Sequence, residues 1–300
     1  MSLLRIVLSA VLSLVLAGSL LANDDGEREG GILGTGIVGT ITELGSIYVN
    51  GQHIRVAPDS AVTDGVTVSA ARQLLPGHTV AVVATPDGDG WQASYIRQIT
   101  PLVGPIQRLS DTELSVMGTV VLADRDMTAA YATGDWIAVS GLWKGEQVVA
   151  SRVEPASPNG PARIEGNVFD IAPGQPLTIG GTEITSLVPS HIQDGDVVRA
   201  VGAASESELR ADRLETGVFA ETQHVVFSEG YFSVPKPSGI YALLGSGIVS
   251  YTDNPEMIDP TAKQFVCASN ARLFSTSADQ LEAEDMALVL TECLSNADGP

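Results

Sequence analysis

Short runs in which every second residue is apolar fill the chain after residue 34, and Gly, Pro, Asn or Asp closes each run. A period of two belongs to strands with one face on a core and the other in water. The clearest run is a turn followed by an alternating strand, and it occurs three times. It reads Pro76-Gly77-His78-Thr79-Val80-Ala81-Val82-Val83, then Gly134-Asp135-Trp136-Ile137-Ala138-Val139-Ser140-Gly141, then Gly195-Asp196-Val197-Val198-Arg199-Ala200-Val201-Gly202. The turn glycines fall 57 and 61 residues apart. A further strand follows each run (Trp91–Ile99, Gln147–Val153, Leu209–Leu214), and an opening strand precedes it (Gly36–Thr42, Gly104–Leu109, Ile164–Ile171). Self-similarity at such a period is the mark of a repeat protein.

Inside each copy the pattern predicts strand, hairpin, loop, strand, hairpin. Asn50-Gly51 separates Ile47-Tyr48-Val49 from His53-Ile54-Arg55-Val56, and a type I′ turn needs the positive φ that this dipeptide tolerates. Gly180-Gly181 takes the same place in the third copy, and Met117-Gly118 stands there in the second. Asp87-Gly88-Asp89-Gly90 predicts the turn of the last hairpin. About five strands in sixty residues fit a small, partly closed barrel of the OB or Greek-key kind, which removes exposed edges. A solenoid is the rival architecture, and the hairpins inside each copy argue against it. The expected class is all-β: three clear tandem barrels at 34–102, 103–157 and 163–217, and a degenerate fourth copy at 218–300. The link Pro101–Val103 is short, so the first two barrels should stack, whereas Glu154–Pro161 and Val234–Gly239 read as stiff, exposed joints.

In the fourth copy Gly245-Ser246-Gly247-Ile248-Val249 echoes Gly34-Thr35-Gly36-Ile37-Val38 and predicts the opening strand. Phe265–Ala268 and Ala271–Phe274 predict a strand pair around Ser269-Asn270. Ser277–Glu284 predicts a short helical turn, and Met286–Leu294 an alternating strand. Val225–Phe227 and Tyr231–Ser233 are expected to fill the edge left empty by the missing last strand.

The first twenty-two residues break the pattern. Arg5 precedes the apolar run Ile6–Ala22, which ends in small residues before Asn23-Asp24-Asp25-Gly26. This predicts a secretory signal over 1–22, cleaved after Ala22 or at Ser19, and an acidic, Gly-rich leader over 23–33. The alternative is an uncleaved anchor. Ser19 stands where a lipoprotein box requires Cys, so no lipid anchor is expected, and no later stretch is long enough to span a membrane. Export implies an oxidising compartment, and the two cysteines, Cys267 and Cys293, are then expected to pair, with two buried free thiols as the alternative.

Composition narrows the partners. The chain carries 16 basic and 36 acidic residues, a net charge of −20, with only Lys144, Lys236 and Lys263 as lysines. Such a surface lacks the cations that displace counterions from nucleic acid or anionic lipid, so a nucleic-acid partner is not expected. No catalytic constellation is visible. His53, His78, His191 and His224 are scattered without ligand spacing, and Gly245-Ser246-Gly247 lacks the flanks of a nucleophile elbow. Asp87-Gly88-Asp89-Gly90 and Asp194-Gly195-Asp196 are too short for a calcium loop and are explained by turn chemistry. Catalytic, cofactor and metal residues are therefore expected to be none. Trp136 and Trp143 offer a candidate ligand patch on the second barrel, with core packing as the alternative.

The repeat pattern, read at Gly36–Ile41, Ile47–Gly51 and Gly77–Ala84 and again at Gly166–Ile171, Leu177–Gly181 and Gly195–Gly202, resembles the exported bacterial family known as domain of unknown function 5666. The resemblance spans Gly34–Gly217. It implies small OB-like barrels in tandem behind an export signal, and it implies no activity or cofactor. The expected function is a non-enzymatic binding or scaffold protein of the periplasm or cell envelope. Its partner, a protein or small molecule, and its oligomeric state are left open. Two other readings stand beside it: an exported hydrolase using carboxylates at an inter-repeat cleft, and an envelope stress protein that binds cations.

Overall fold

A computed structural model describes residues 34–186, 189, 191–269, 272–277 and 289–295. The signal and leader expected over 1–33, and most of the helical turn expected at Ser277–Glu284, lie outside the described residues. The first module comprises β1 (Thr35–Leu44), β2 (Ile47–Val49), β3 (Gln52–Arg55), the side hairpin β4 (Ala61–Thr63) and β5 (Val68–Ala70), then β6 (Thr79–Asp87) and β7 (Gly90–Ile99). β1 pairs with β2, β2 with β3, β3 in parallel with β7, β7 with β6, and β6 returns to β1. That circuit is a closed five-stranded barrel of OB type. The second module repeats it with β8 (Leu102–Leu109), β9 (Glu113–Val116), β10 (Thr119–Leu122), β11 (Trp136–Lys144) and β12 (Gln147–Pro155). The expected all-β repeat fold is the fold observed.

Backbone pairing fixes the register of the copies. Ile41 exchanges hydrogen bonds with Gly77 and His78, Ile106 with Gly134 and Asp135, and Val168 with Gly195 and Asp196. Gly39, Gly104 and Gly166, two residues before each, are therefore equivalent. The sequence pattern aligned Gly36 with Gly166 and is corrected by three residues. The reason is steric. A Cβ at Gly39 would fall 2.1 Å from the Asn50 side chain, and one at Gly166 would fall 2.7 Å from Ile179, so the opening strand crosses the first hairpin where only glycine fits.

The fourth module obeys the same rule from a different start. Its opening strand is β18 (Val225–Gly230), followed by β19 (Ile240–Leu243), β20 (Ile248–Tyr251), β21 (Gln264–Ser269) and β22 (Arg272–Ser277). β18 pairs with β21, β21 with β22, and β19 with β20. A single bridge, Phe232–Leu243, stands where Ile41–Val49 and Ile106–Val116 pair in the closed copies. Gly247-Ile248-Val249, expected to open this copy, instead leads into its third strand. Residues 289–295 are helical, not the expected strand. Leu290, Cys293 and Leu294 are spaced i, i+3, i+4, and that spacing makes one helical face against the core. Cys267 and Cys293 form a disulfide, and both are fully buried. Closing a separation of 26 residues contributes about 3.5 kcal/mol on the chain-entropy account.

The modules do not pair in sequence order. The free half-edge of β8 pairs antiparallel with β13 (Ala162–Asn167) of the third module, so modules two and three share one ten-stranded sheet and one core. The free half-edge of β1 pairs in parallel with β18, and modules one and four share the other sheet and core. Modules one and two share no strand despite their short link. They touch through the Pro76–His78 turn, where the buried His78 accepts from Leu75 N–H at Nδ1 and meets Glu154 at 2.6 Å through Nε2. Ser151 Oγ donates to Gly77 O beside it.

Candidate functional site

The third module departs from the closed circuit. Its strands are β13, β14 (Leu177–Ile179), β15 (Thr182–Thr185), β16 (Val197–Ser205) and β17 (Glu208–Thr216). β13–β16, β16–β17, β17–β15 and β15–β14 pair as in the other copies, but β13 and β14 do not. The connection is long, as it is in the fourth module, where nine residues (Tyr231–Gly239) follow the opening strand but Phe232 still bridges Leu243. β1 reaches β2 across two residues and β8 reaches β9 across three, whereas nine residues, Val168–Pro176, separate β13 from β14. Asp170 takes a left-handed φ of 57° and turns the chain aside, and Asp194 Oδ1 then accepts the Ile171 N–H at 3.0 Å. Pro173 and Pro176, which lack donors, keep this segment from rejoining a ladder.

Two hollows follow from that diversion. At the foot of the barrel a cavity of about 720 Å³ is lined by Ile171, Pro173, Pro176, Glu183, Thr185 and Ile192. In the second module the same end is stoppered by the short helix Arg125–Thr128, with Met127 and Tyr131 packed on the core. Along the open seam lies a cleft of about 240 Å³. Asn167, Phe169, Asp170, Thr178 and Gly180 of the third module form one side. Trp143 and Glu146 of the second module, and Ser233, Val234, Lys236 and Leu244 of the fourth, complete it.

Trp143 props the seam. Its ring lies between Gly166 and Gly180, since a Cβ at either would come within 3.0 Å of the indole, and its Nε1 donates to Glu165 O at 2.7 Å. In the first module the equivalent carbonyl, Val38 O, accepts from Asn50 Nδ2, the side chain of that copy's own hairpin turn. The third copy has Gly180 in that place, and a tryptophan from the neighbouring module supplies the missing donor. Trp136 lies seven residues along β11, about 23 Å away at strand rise, half-buried on the core. The two indoles do not make one patch, and Trp143 is only 4% exposed. Across the cleft Asn167 bridges modules: its Nδ2 donates to Gly195 O and its Oδ1 accepts from Gly245 N–H, each at 2.7 Å. Lys236 pairs with Asp170 at 2.7 Å and lies over the Phe169 ring. Thr178, Phe169, Asp170 and Glu146 were not singled out by sequence; the long gap between strands was their only signal.

The remaining polar motifs serve structure. His53 stacks on Tyr48, and His191 and His224 are exposed. Arg55 holds Asp87 and Asp89 in their turn, and Asp196 accepts from Gln193 N–H. Among the described residues no three His, Cys, Asp or Glu side chains are grouped to hold a metal ion, and no helix is long and apolar enough to cross a membrane.

A latch of arginines joins the first and third modules beside the seam. Arg97 and Glu165 form an ion pair with side chains only 3% and 4% exposed, and Arg97 also donates to Val218 O at 2.7 Å. At the tip of the β4–β5 hairpin, Arg163 binds Asp64 at 2.6 Å, Arg213 donates to Gly65 O, and Arg199 packs against Gly65. Burial pushes the carboxyls of Asp64, Glu154 and Glu215 up, but the donors facing them outweigh it, and all three are held below the ordinary carboxylate range. For Asp64 these donors are Thr67 N–H and Arg163, for Glu154 they are His78 and Arg152, and for Glu215 chiefly Arg199. Unfolded carboxyls titrate near about 4. The stability these groups contribute is therefore complete above that range and is lost as pH falls through their lower folded values. Urea midpoints should stay level from about pH 7 to 5 and drop below about 4, with a smaller drop in Asp64→Asn. Equal acid sensitivity in the variant would dismiss the latch as a source of it.

Small five-stranded barrels repeated along two shared sheets define a repeat protein of OB-like modules. Residues 35–97 and 103–154 match the family model of the Domain of unknown function (DUF5666) as two adjacent copies. The match includes the second module, whose Met117-Gly118 hairpin departs from the motif, and stops before the third. Comparison with curated proteins and with solved structures finds no match.

Proposed function

We propose that the protein is exported to the cell envelope and binds a ligand there without transforming it, the modules serving to build one recognition surface around the third barrel. The observation that carries this reading is the unzipped seam. Three modules hold their opening strand to the first hairpin, while one leaves a walled cleft and a hollow foot in the same place. The buried Cys267–Cys293 disulfide supports the oxidising compartment that export supplies. In the seam cleft, Asp170 is already engaged by Lys236, so its carboxylate serves the wall of the site.

The test is thermal unfolding of the oxidised protein against peptides, cell-wall saccharides and calcium, with each ligand weighed by mass spectrometry before and after. A bound ligand at about 100 times its Kd adds about 2.7 kcal/mol, a rise in Tm on the order of 5 °C. The expected result is such a rise with the ligand recovered intact. Cleaved saccharide would transfer the assignment to a hydrolase, and a shift with calcium alone to cation binding. No shift with any class would sink the binding reading.

A further inference from the structure

We infer that the seam of the third module takes an extended peptide with basic residues, which adds as a strand to the open edge of β14. This rests on the binding reading above and names the ligand class. The first support is internal. Ile41–Val49, Ile106–Val116 and Phe232–Leu243 join opening strand to hairpin in three modules, and the corresponding Val168–Ile179 pair is not made. A segment of main chain is what belongs there.

The second support is the direction of the free groups. Gly180-Gly181 is a two-residue turn, so Ile179 and Thr182 form its hydrogen-bonded closing pair. Thr178 opposite Glu183 then occupies the non-hydrogen-bonded position, and its N–H and C=O point away from β15, to the open edge. The matching residues elsewhere, Tyr48 and Ser115, face Glu43 and Arg108 across a ladder. Thr178 is exposed and lines the cleft.

Size and charge define the occupant. About 240 Å³ is below the 300–1,000 Å³ typical of pockets that enclose a drug-sized molecule, and it suits a few residues of main chain whose ends remain in water. The walls carry Glu146 and Asp170 against the single cation Lys236, on a chain of net charge −20. Basic side chains are favoured at the ends of the peptide and acidic ones are repelled. Leu244 and Phe169 offer apolar contact to the residue between them.

The full oxidised chain is titrated by calorimetry with acetyl-Lys-Val-Thr-Val-Lys-amide, with its Glu-ended counterpart, and with a form N-methylated at the central Thr. Amide exchange is followed residue by residue. The Lys-ended peptide is expected to bind and to slow exchange at Thr178 by about tenfold or more, while the Glu-ended peptide binds at least about tenfold more weakly at low salt. N-methylation, which removes one ladder donor, should abolish binding. Thr178→Pro should do the same with Tm unchanged, because proline is tolerated where an edge N–H faces outward. Absence of binding at millimolar peptide, undiminished binding of the N-methylated form, or protection confined to β22 would overturn the proposal. If the peptide fails while another ligand class raises Tm, only the peptide assignment falls; if every class fails, the binding reading falls with it.

Discussion

Arg97→Ala is expected to lower the stability of the oxidised protein by about 3–5 kcal/mol, read as a shift of the urea midpoint at neutral pH. The magnitude follows from what the truncation leaves behind. Glu165, 3% exposed in the intact protein, would keep only Arg199 Nη1 at 3.7 Å as a nearby cation, and the carbonyls of Gly217 and Val218 would lose their donor. A buried charge without its partner costs far more than the pair contributes when intact. Glu165→Ala should be comparably harmful because it leaves the buried Arg97 guanidinium without its counter-charge, while Arg199 keeps Glu215. The double variant should cost clearly less than the two singles together, since each removes the charge the other leaves stranded. Additive losses would show that the two residues act independently, contrary to the geometry.

Trp143→Ala is expected to cost a similar amount, about 3–5 kcal/mol, the usual range for truncating a buried aromatic. Trp143→Phe separates the two parts of its role. It keeps most of the ring between Gly166 and Gly180 but leaves Glu165 O without its donor, which should cost about 1–3 kcal/mol. Amide exchange across β13 and β14 should accelerate in both variants before the second module is affected. A loss under about 1 kcal/mol for Trp143→Ala would mean the seam holds its shape without the wedge.

Much of this architecture could be read from the chain, and the failures have identifiable causes. The barrel class was legible because a period of two and a dipeptide such as Asn50-Gly51 constrain the backbone locally. Register was misread at Gly36 because the look-alikes Gly34-Thr35-Gly36 and Gly245-Ser246-Gly247 compete with the sterically required Gly39; only the partners Gly77 and His78 decide between them. The exchange of half-edges, β8 with β13 and β1 with β18, had no local signal, since a strand edge looks alike whichever neighbour covers it. The site was legible only as a spacing, nine residues where the first two copies have two and three, and the fourth copy shares that spacing yet keeps its bridge. Trp143 was noticed for the wrong reason. Its work is to cap a carbonyl in another module, and that relation exists only once the modules have met. At the C-terminus, Leu290 and Cys293 satisfy a helical face that a reading by alternation passes over.

The sharing of sheets between first and fourth modules, and between second and third, bears on how such a chain is made and inherited. β1 meets β18 only after some 190 residues have been synthesised beyond it, so the earliest barrel waits for the latest to finish its edge. Beads on a string can gain or lose a bead, and a solenoid can lengthen by a turn. Here each copy is spoken for by a specific other, and removing any one would bare a strand edge of the kind that invites aggregation. A copy added to this architecture would therefore need a mate to cover its half-edge.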